Sequence, residues 1–279
     1  MEFINLHSDM TFDELYNIWF ITYKVPRLKK ITIYGYRSVY NVHLKPIFGA
    51  MKVKDIKAYH LQTFFNQKMA ESLRKCEDMK TILNGVFEFA YYNDLISKNP
   101  LKYVYVKKHV RRNGKAFTVS ELNLFFEIVD KPHFKTAFQI YLYTGCRPTE
   151  LRTIEFNFDK DLIKIKNAKL KDYQTQEYRY LPIFPALYSI KDKILKDDWR
   201  ITYKTLQLYS TAIFKGQHTI KDFRHTFSSY ARECGVVSEV VDLWLGHVPK
   251  NLAEQVYVHY DLEFQRQEVK KMVGFMQKN

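Results

Sequence analysis

Glycine is scarce in this chain of 279 residues, which contains only nine. The glycine-rich loops that hold nucleotide phosphates, G-x-G-x-x-G or a glycine loop ending in Gly-Lys-Ser/Thr, do not occur in it. Nucleotide-driven chemistry is therefore not indicated. Long apolar runs are missing as well, since none approaches the roughly 18–20 residues that span a bilayer. The first residues show neither the basic nor the apolar part of a secretory signal.

Cysteine is equally rare, with three residues far apart at positions 76, 146 and 234. An odd, dispersed set of this kind matches neither a disulfide framework nor a zinc site. We therefore expect a cytoplasmic protein that works in a reducing environment without a metal or another cofactor.

Positive charge, by contrast, is abundant. Hydrophobic residues make up 46% and charged residues 27% of the chain, which is typical of a folded globular protein. The net charge of +14 and the pI of about 9.4 predict a polyanionic partner. Nucleic acid is the first candidate and an anionic membrane surface the second.

A basic stretch around residues 107–116 separates two periodic regions. We predict a helical domain over 1–108, a basic linker over 109–116 and a second domain over 117–279. Residues 1–114 contain nineteen Lys and Arg against ten Asp and Glu, so the smaller part has the higher charge density. That distribution suits a module that grips a DNA backbone.

Local signals predict mainly helices. Capping boxes at Thr11–Glu14 and Thr118–Glu121 mark helix starts in both domains. In the second domain we expect helices to about residue 152. Strand-like alternation over 162–166 and 178–182 then predicts a hairpin. An amphipathic helix follows over 262–279 and packs either on its own domain or on a neighbouring protomer. The expected fold class is mainly α, with a small antiparallel sheet.

Four segments carry residues suited to chemistry, although each has an ordinary structural explanation when taken alone. Arg147 could lie on the surface, a lysine in a hairpin turn is usually solvated, and His247 could cap a helix. Lys221, Arg224 and His225 fall on one face if they are helical. The segments are Tyr-Thr-Gly-Cys-Arg-Pro-Thr-Glu-Leu (143–151), Asn-Ala-Lys-Leu-Lys-Asp (167–172), Lys-Asp-Phe-Arg-His-Thr-Phe (221–227), and Leu-Gly-His (245–247) followed by Val-Tyr-Val-His-Tyr (256–260).

Together and in this order, the segments resemble the tyrosine recombinases, also called the phage integrase family, over about residues 10–270. The resemblance implies an N-terminal SAM-like core-binding bundle and a catalytic domain of the DNA breaking–rejoining type. It also implies a site-specific recombinase that uses neither metal nor ATP. The implied partners are duplex DNA attachment sites and three further copies of the chain, forming a tetramer on paired sites. A directionality factor is a candidate partner.

The resemblance also assigns roles. Arg147 and Arg224 match the pair that clamps the scissile phosphate, where planar guanidinium forks bind non-bridging oxygens. Lys169 matches the hairpin lysine that protonates the leaving 5′ oxygen, and Lys171 in the same turn is the alternative. His247 matches the histidine that donates to the phosphate or positions the tyrosine.

Tyr257 matches the nucleophile, which forms a 3′-phosphotyrosyl bond. Tyr260 is the alternative, because the spacing from His247 to Tyr257 is one residue longer than the family pattern. Lys221 stands where the family commonly has histidine, and it can still donate to a phosphate.

Three other functions remain open. One is a housekeeping recombinase that resolves chromosome dimers, and another is a type IB topoisomerase. A third is a catalytically impaired DNA-binding regulator on the same scaffold, which Lys221 and the shifted tyrosine would favour. The intact arginine pair favours an active integrase of a mobile element, encoded by a bacterium or a phage.

Overall fold

A computed structural model describes residues 4–110, 114–168, 177–247, 260–272 and 274. The chain forms two compact units, Met1–Arg112 and Asn113–Asn279. Among the described residues, no helix combines the length and the apolar character needed to cross a membrane.

The first unit is helical. Its α-helices are α1 (Phe12–Trp19), α2 (Lys30–Val39), α3 (Lys45–Phe48), α4 (Ala58–Glu71) and α5 (Leu73–Tyr92), with π-helical turns at Phe20–Lys24 and Tyr40–Leu44 and 3₁₀ turns at Val25–Arg27, Val53–Asp55 and Pro100–Tyr103. The predicted capping box is confirmed, because Thr11 and Glu14 bond each other's backbone at the start of α1.

Aromatic side chains fill the core of this unit. The ring centroids of Phe12 and Phe87 lie 5.5 Å apart, and the Tyr16 ring stacks on the Tyr40 ring. Gly85 in α5 faces the Trp19 indole so closely that a Cβ would overlap the ring. The absence of a side chain at residue 85 therefore lets α1 and α5 approach each other.

The second unit combines helices with one antiparallel sheet. Its elements are α6 (Val119–Ile128), α7 (Pro132–Thr144), a 3₁₀ turn (Leu151–Thr153), β1 (Ile154–Asn157), β2 (Leu162–Lys166), β3 (Tyr178–Leu181), α8 (Pro185–Tyr188), α9 (Lys191–Leu195), α10 (Tyr203–Phe214), α11 (Asp222–Glu233), α12 (Ser238–Leu245) and α13 (Leu262–Lys270). The mainly helical fold with a small sheet confirms the predicted fold class. The second capping box is also confirmed, at Thr118 and Glu121.

The strands pair in the order β1-β2-β3. The predicted hairpin corresponds to β2 and β3, and β1 is an additional strand. Ile163 pairs with Leu181 and Ile165 with Arg179, and all four side chains are buried on the core face. An arginine therefore occupies a position where the alternation calls for an apolar residue.

Helix α7 ends earlier than the sequence suggested. The helical stretch predicted to about residue 152 is interrupted, because α7 stops at Thr144, Gly145 adopts a left-handed φ of 59°, and only the 3₁₀ turn Leu151–Thr153 follows. A Cβ on Gly145 would overlap the Phe227 ring of α11, so only glycine fits there. The segment around Arg147 is consequently a loop that leaves the end of α7.

The C-terminal helix α13 packs on its own unit. Val269 and Met272 belong to the core of this unit. The Trp244 Nε1 atom donates to Gln265 Oε1 at 2.9 Å, and the Val237 amide donates to Glu268 Oε2 at 2.8 Å. Of the two predicted arrangements for this helix, the structure shows the intramolecular one.

Candidate active site

A buried carboxylate organises the loop that follows α7. Glu150 is fully buried and accepts four hydrogen bonds. Its Oε1 atom binds Arg147 Nη1 at 2.9 Å and the Ala168 amide at 3.1 Å. Its Oε2 atom binds the Arg147 amide at 2.8 Å and Arg179 Nη2 at 2.7 Å. One acid therefore joins the arginine loop, the end of β2 and the middle of β3.

The charge state of Glu150 follows from these contacts. Burial alone raises the pKa of this carboxyl group, but the hydrogen bonds and positive charges of Arg179 and Arg147 outweigh that effect and hold its pKa below the ordinary value. Glu150 is thus an anion at neutral pH, and it holds the Arg147 side chain by one edge of its guanidinium group.

The two sequence-predicted arginines meet at the C-terminal end of α12. Arg147 Nη2 donates to the Gly246 carbonyl at 3.0 Å, and Arg224 Nη2 donates to the Leu245 carbonyl at 2.7 Å. Arg224 Nη1 also donates to the Gly145 carbonyl at 2.8 Å. Helix C-termini carry partial negative charge, so two cations can be held side by side there.

Both guanidinium groups retain donors for an anion. A guanidinium group has five N–H bonds. Within the described residues, the hydrogen bonds of Arg147 and Arg224 use only some of these N–H donors, and the Nε–H of each contacts no acceptor. The Arg147 side chain is 20% exposed, so its remaining donors can reach a ligand.

The arginine pair makes the site electropositive. Burial and then the charge of Arg147 lower the pKa of Arg224 to about 10. Arg224 nevertheless remains charged at neutral pH. An anion between the two side chains would relieve their mutual repulsion, which is the electrostatic character of a phosphate-binding site.

His247 lies beside Arg224, as the third predicted member of this cluster. Its Nε2 atom is 2.9 Å from Arg224 Nη2, and its Nδ1 atom is 3.0 Å from Asp242 Oδ1. This arrangement fits the tautomer with the proton on Nδ1, which donates to Asp242 while Nε2 accepts from Arg224. Burial lowers the pKa of His247 below its ordinary value, helped by the charges of Arg224 and Arg147, although the hydrogen bond and charge of Asp242 act in the opposite direction.

Gly246 makes the turn after α12 possible. Its φ is 63°, and a Cβ there would lie 3.0 Å from both Arg179 Nη1 and Asn167 Oδ1. The left-handed turn aims the Leu245 and Gly246 carbonyls at the two arginines and brings His247 onto Arg224.

Lys221 is not part of the observed cluster. It caps the start of α11, where its carbonyl accepts from the amides of Arg224 and His225. Its side chain is exposed and makes no hydrogen bond or ion pair within the described ranges. Helix α11 itself begins one residue later, at Asp222.

Three sequence-predicted residues, Lys169, Lys171 and Tyr257, lie outside the described residues. The alternative nucleophile, Tyr260, is described. Its ring lies 5.3 Å from Phe264, and its carbonyl accepts from Gln265 Nε2.

Sequence reasoning missed Arg179. This side chain is 3% exposed, yet it is charged and makes three hydrogen bonds. A signal was present, because the alternation of β3 places residue 179 on the same face as Leu181. An arginine at an apolar position of a strand indicates a buried polar network.

Comparisons with known proteins show similarities in sequence and in fold. Residues 11–69 match the family model described as phage integrase, N-terminal SAM-like domain. The prophage integrase IntZ of Escherichia coli (strain K12) is 22% identical over 247 residues, which cover 77% of this chain and 59% of IntZ. The chain therefore spans well under two thirds of the length of that relative.

Solved structures share the fold. A lambda integrase dimer bound to a core site matches with a TM-score of 0.73 at 14% identity, over 86% of this chain and 96% of that one. The Tn1549 transposon integrase in complex with circular intermediate DNA matches with a TM-score of 0.69 at 18% identity, over 93% and 99%. A lambda integrase tetramer bound to a Holliday junction matches with a TM-score of 0.71 at 15% identity, over 91% and 81%. The chain is thus similar to the tyrosine recombinase, or phage integrase, family in its SAM-like segment, in its prophage relative and in its fold.

Proposed function

We propose that the chain is a site-specific DNA recombinase that cleaves and rejoins duplex DNA through a covalent 3′-phosphotyrosyl intermediate. The observation that carries the proposal is the convergence of Arg147, Arg224 and His247 at the end of α12. Two cations with spare donors form a site for a single phosphate group.

The arginine pair binds the scissile phosphate in this proposal. Negative charge builds up on the non-bridging oxygens as the phosphorus becomes pentavalent. Donors already fixed by Glu150 and by the carbonyls of Gly145, Leu245 and Gly246 stabilise that charge without first having to reorganise. His247 holds the Arg224 guanidinium from the side, and Asp242 holds His247.

Tyr257 supplies the nucleophile. Its phenol loses a proton to solvent, and nearby cations favour the phenolate that results. The phenolate oxygen bonds to phosphorus while the bond from phosphorus to the 5′ oxygen breaks. Lys169 gives a proton to that leaving oxygen. Rejoining reverses these steps, with a 5′ hydroxyl attacking the phosphotyrosine, so the bond energy is conserved.

The two units divide the work. We propose that the unit Met1–Arg112, which contains the matched SAM-like segment, is the core-binding domain and grips the DNA backbone. The unit Asn113–Asn279 is the catalytic domain. Backbone contacts would dominate affinity, as expected for a chain with a net charge of +14.

Mobile-element integration is the biological context that we favour, because the relatives found are a prophage integrase and a transposon integrase. The lambda structure on a Holliday junction is a tetramer, which supports a tetramer of this chain on paired sites. A directionality factor stays a candidate partner.

Covalent trapping tests the proposal. Duplex sites selected by the protein from a randomised pool would be nicked close to the cleavage point, so that the released 5′-hydroxyl fragment diffuses away. Wild-type protein should give an adduct that survives denaturation. Tyr257→Phe should give none, whereas Tyr260→Phe should still react. Site-specific binding without any adduct would instead identify a regulator on this scaffold.

A further inference from the structure

Arg179 has a charged side chain at a core-facing strand position that an apolar side chain would ordinarily occupy. It pairs with Ile165 across β2 and β3, and its side chain is 3% exposed. A buried ion pair adds little stability that packed apolar residues could not also supply, because desolvation offsets the attraction. Stability alone is therefore a weak explanation for an arginine at this position.

Arg179 joins three segments of the unit. Its Nη2 atom donates to Glu150 Oε2 at 2.7 Å, its Nη1 atom to Asn167 Oδ1 at 2.7 Å, and its Nε atom to the Trp244 carbonyl at 2.8 Å. The planar fork satisfies three acceptors on different elements at once, which a lysine ammonium on its flexible stem would not reproduce.

Arg179 is connected to both residues that precede position 169, to one directly and to the other through Glu150. Arg179 donates directly to the Asn167 side chain. The backbone N–H of Asn167 donates to the Glu177 carbonyl across the hairpin at 2.9 Å. The Ala168 amide is held by Glu150, which in turn is paired with Arg179. Two buried charges therefore fix the backbone just before position 169.

We propose that Arg179 is a positioning residue for leaving-group protonation: through Asn167 and Glu150 it fixes the two residues that directly precede Lys169 in the chain. The proposal rests on the proposed function, in which Lys169 protonates the 5′ oxygen. Arg179 is too deeply buried to contact DNA, so it acts only through these neighbours. Misplacing a reacting group by about 1 Å can cost about 100-fold in rate.

Single-turnover cleavage of two matched suicide substrates separates this role from a purely structural one. One substrate has the ordinary 5′ oxygen at the scissile bond, and the other has sulfur there. A thiolate is a much better leaving group than an alkoxide, so its departure needs no proton. A defect in leaving-group protonation should therefore shrink on the sulfur substrate.

The variants Arg179→Met and Arg179→Lys should cleave the oxygen substrate about 100-fold more slowly than wild type does. On the sulfur substrate, the rate deficit of each variant relative to wild type should be at least 10-fold smaller. Lys169→Ala should show the same recovery, whereas Arg147→Lys should not. DNA affinity should stay within about 2-fold, and urea unfolding should show that each variant is folded at the assay temperature. Arg200→Met, which removes a surface ion pair with Asp197, is the matched control and should cleave both substrates normally.

Asn167 provides a second test that leaves the buried ion pair intact. Asn167→Ala removes the acceptor and should reproduce the sulfur-sensitive loss, whereas Asn167→Asp keeps an acceptor for Arg179 and should retain cleavage. Equal losses on both substrates for the Arg179 and Asn167 variants, with recovery for Lys169→Ala, would overturn the positioning role alone. No recovery for Lys169→Ala would remove its premise, and the absence of any wild-type adduct would overturn the proposed function itself.

Discussion

Arg147 and Arg224 bind the carbonyl oxygens of two consecutive residues: Arg224 contacts Leu245 at 2.7 Å and Arg147 contacts Gly246 at 3.0 Å. One turn at the end of α12 therefore sets the distance between the two guanidinium groups. The same turn brings His247 onto Arg224. The geometry of the arginine pair consequently depends on how α12 ends.

Gly246→Ala should damage both stability and cleavage. Its φ of 63° is strained for alanine by about 1–2 kcal/mol, and the added Cβ meets Arg179 Nη1 and Asn167 Oδ1 at 3.0 Å. Gly216→Ala is the matched control, because its φ of 84° is also positive but no atom lies within 4 Å of its Cβ. Urea unfolding should show a larger loss for Gly246→Ala, together with slower adduct formation. Equal losses of stability for the two variants would contradict the close packing around Gly246.

Arg147→Lys and Arg224→Lys should each slow adduct formation by about 100- to 1,000-fold, because each removes fixed donors from the developing charge. Arg200→Lys keeps the rate of the wild type if the effect is specific to the site. Single-turnover trapping on the oxygen suicide substrate measures these rates. Lysine variants that react as fast as wild type would mean that the arginines do not clamp the phosphate.

Glu150→Gln should destabilise the protein by about 3–5 kcal/mol, because it leaves Arg179 as a buried charge without its anionic partner. Urea unfolding at neutral pH measures this change. Glu155→Gln provides the control, since it removes only an exposed carboxylate paired with Lys164 on the sheet surface.

The same carboxylate predicts a pH dependence. Its pKa in the folded state lies below the ordinary value of 4.5, so the folded protein binds this proton less readily than the unfolded chain. The stabilisation is fully present above pH 4.5 and is lost as the pH falls through the lower, folded-state pKa. Stability should therefore fall on acidification in wild type and fall less steeply in Glu150→Gln. Parallel curves would contradict the ion pairing.

His247 should titrate below its ordinary pKa of 6.5, because burial and the neighbouring arginines disfavour its charged form. Asp242 opposes this effect, so Asp242→Asn should lower the pKa of His247 further. NMR titration of the His247 ring protons measures both values. A pKa above 6.5 in wild type, or a rise in Asp242→Asn, would place the histidine in a different environment.

Much of the fold could be predicted because its signals are local. The capping boxes at Thr11 and Thr118 and the alternation of β2 and β3 lie within short stretches of sequence. β1 was not predicted because Ile154 is its only buried residue, so the strand shows no clear apolar alternation.

The geometry of the site could not be predicted in the same way, because it depends on contacts between residues far apart in the chain. Motif order grouped Arg147, Arg224 and His247, whose side chains the structure brings together, but the acceptor of Arg147 on Gly246 lies ninety-nine positions away. No local pattern specifies such a contact. Arg179 could have been singled out from the strand alternation, whereas its partners Asn167 and Trp244 come from separate elements that only folding brings together.

The decisive measurement for cleavage through a 3′-phosphotyrosyl bond is to identify the amino acid and the sugar atom that are joined in the covalent adduct. The trapped complex would be digested with nuclease and trypsin, and the peptide covering residues 251–266 would be sequenced by mass spectrometry. We expect a nucleotide linked through its 3′ phosphate to the phenolic oxygen of Tyr257. A nucleotide on any other side chain, or one linked through a 5′ phosphate, would contradict it.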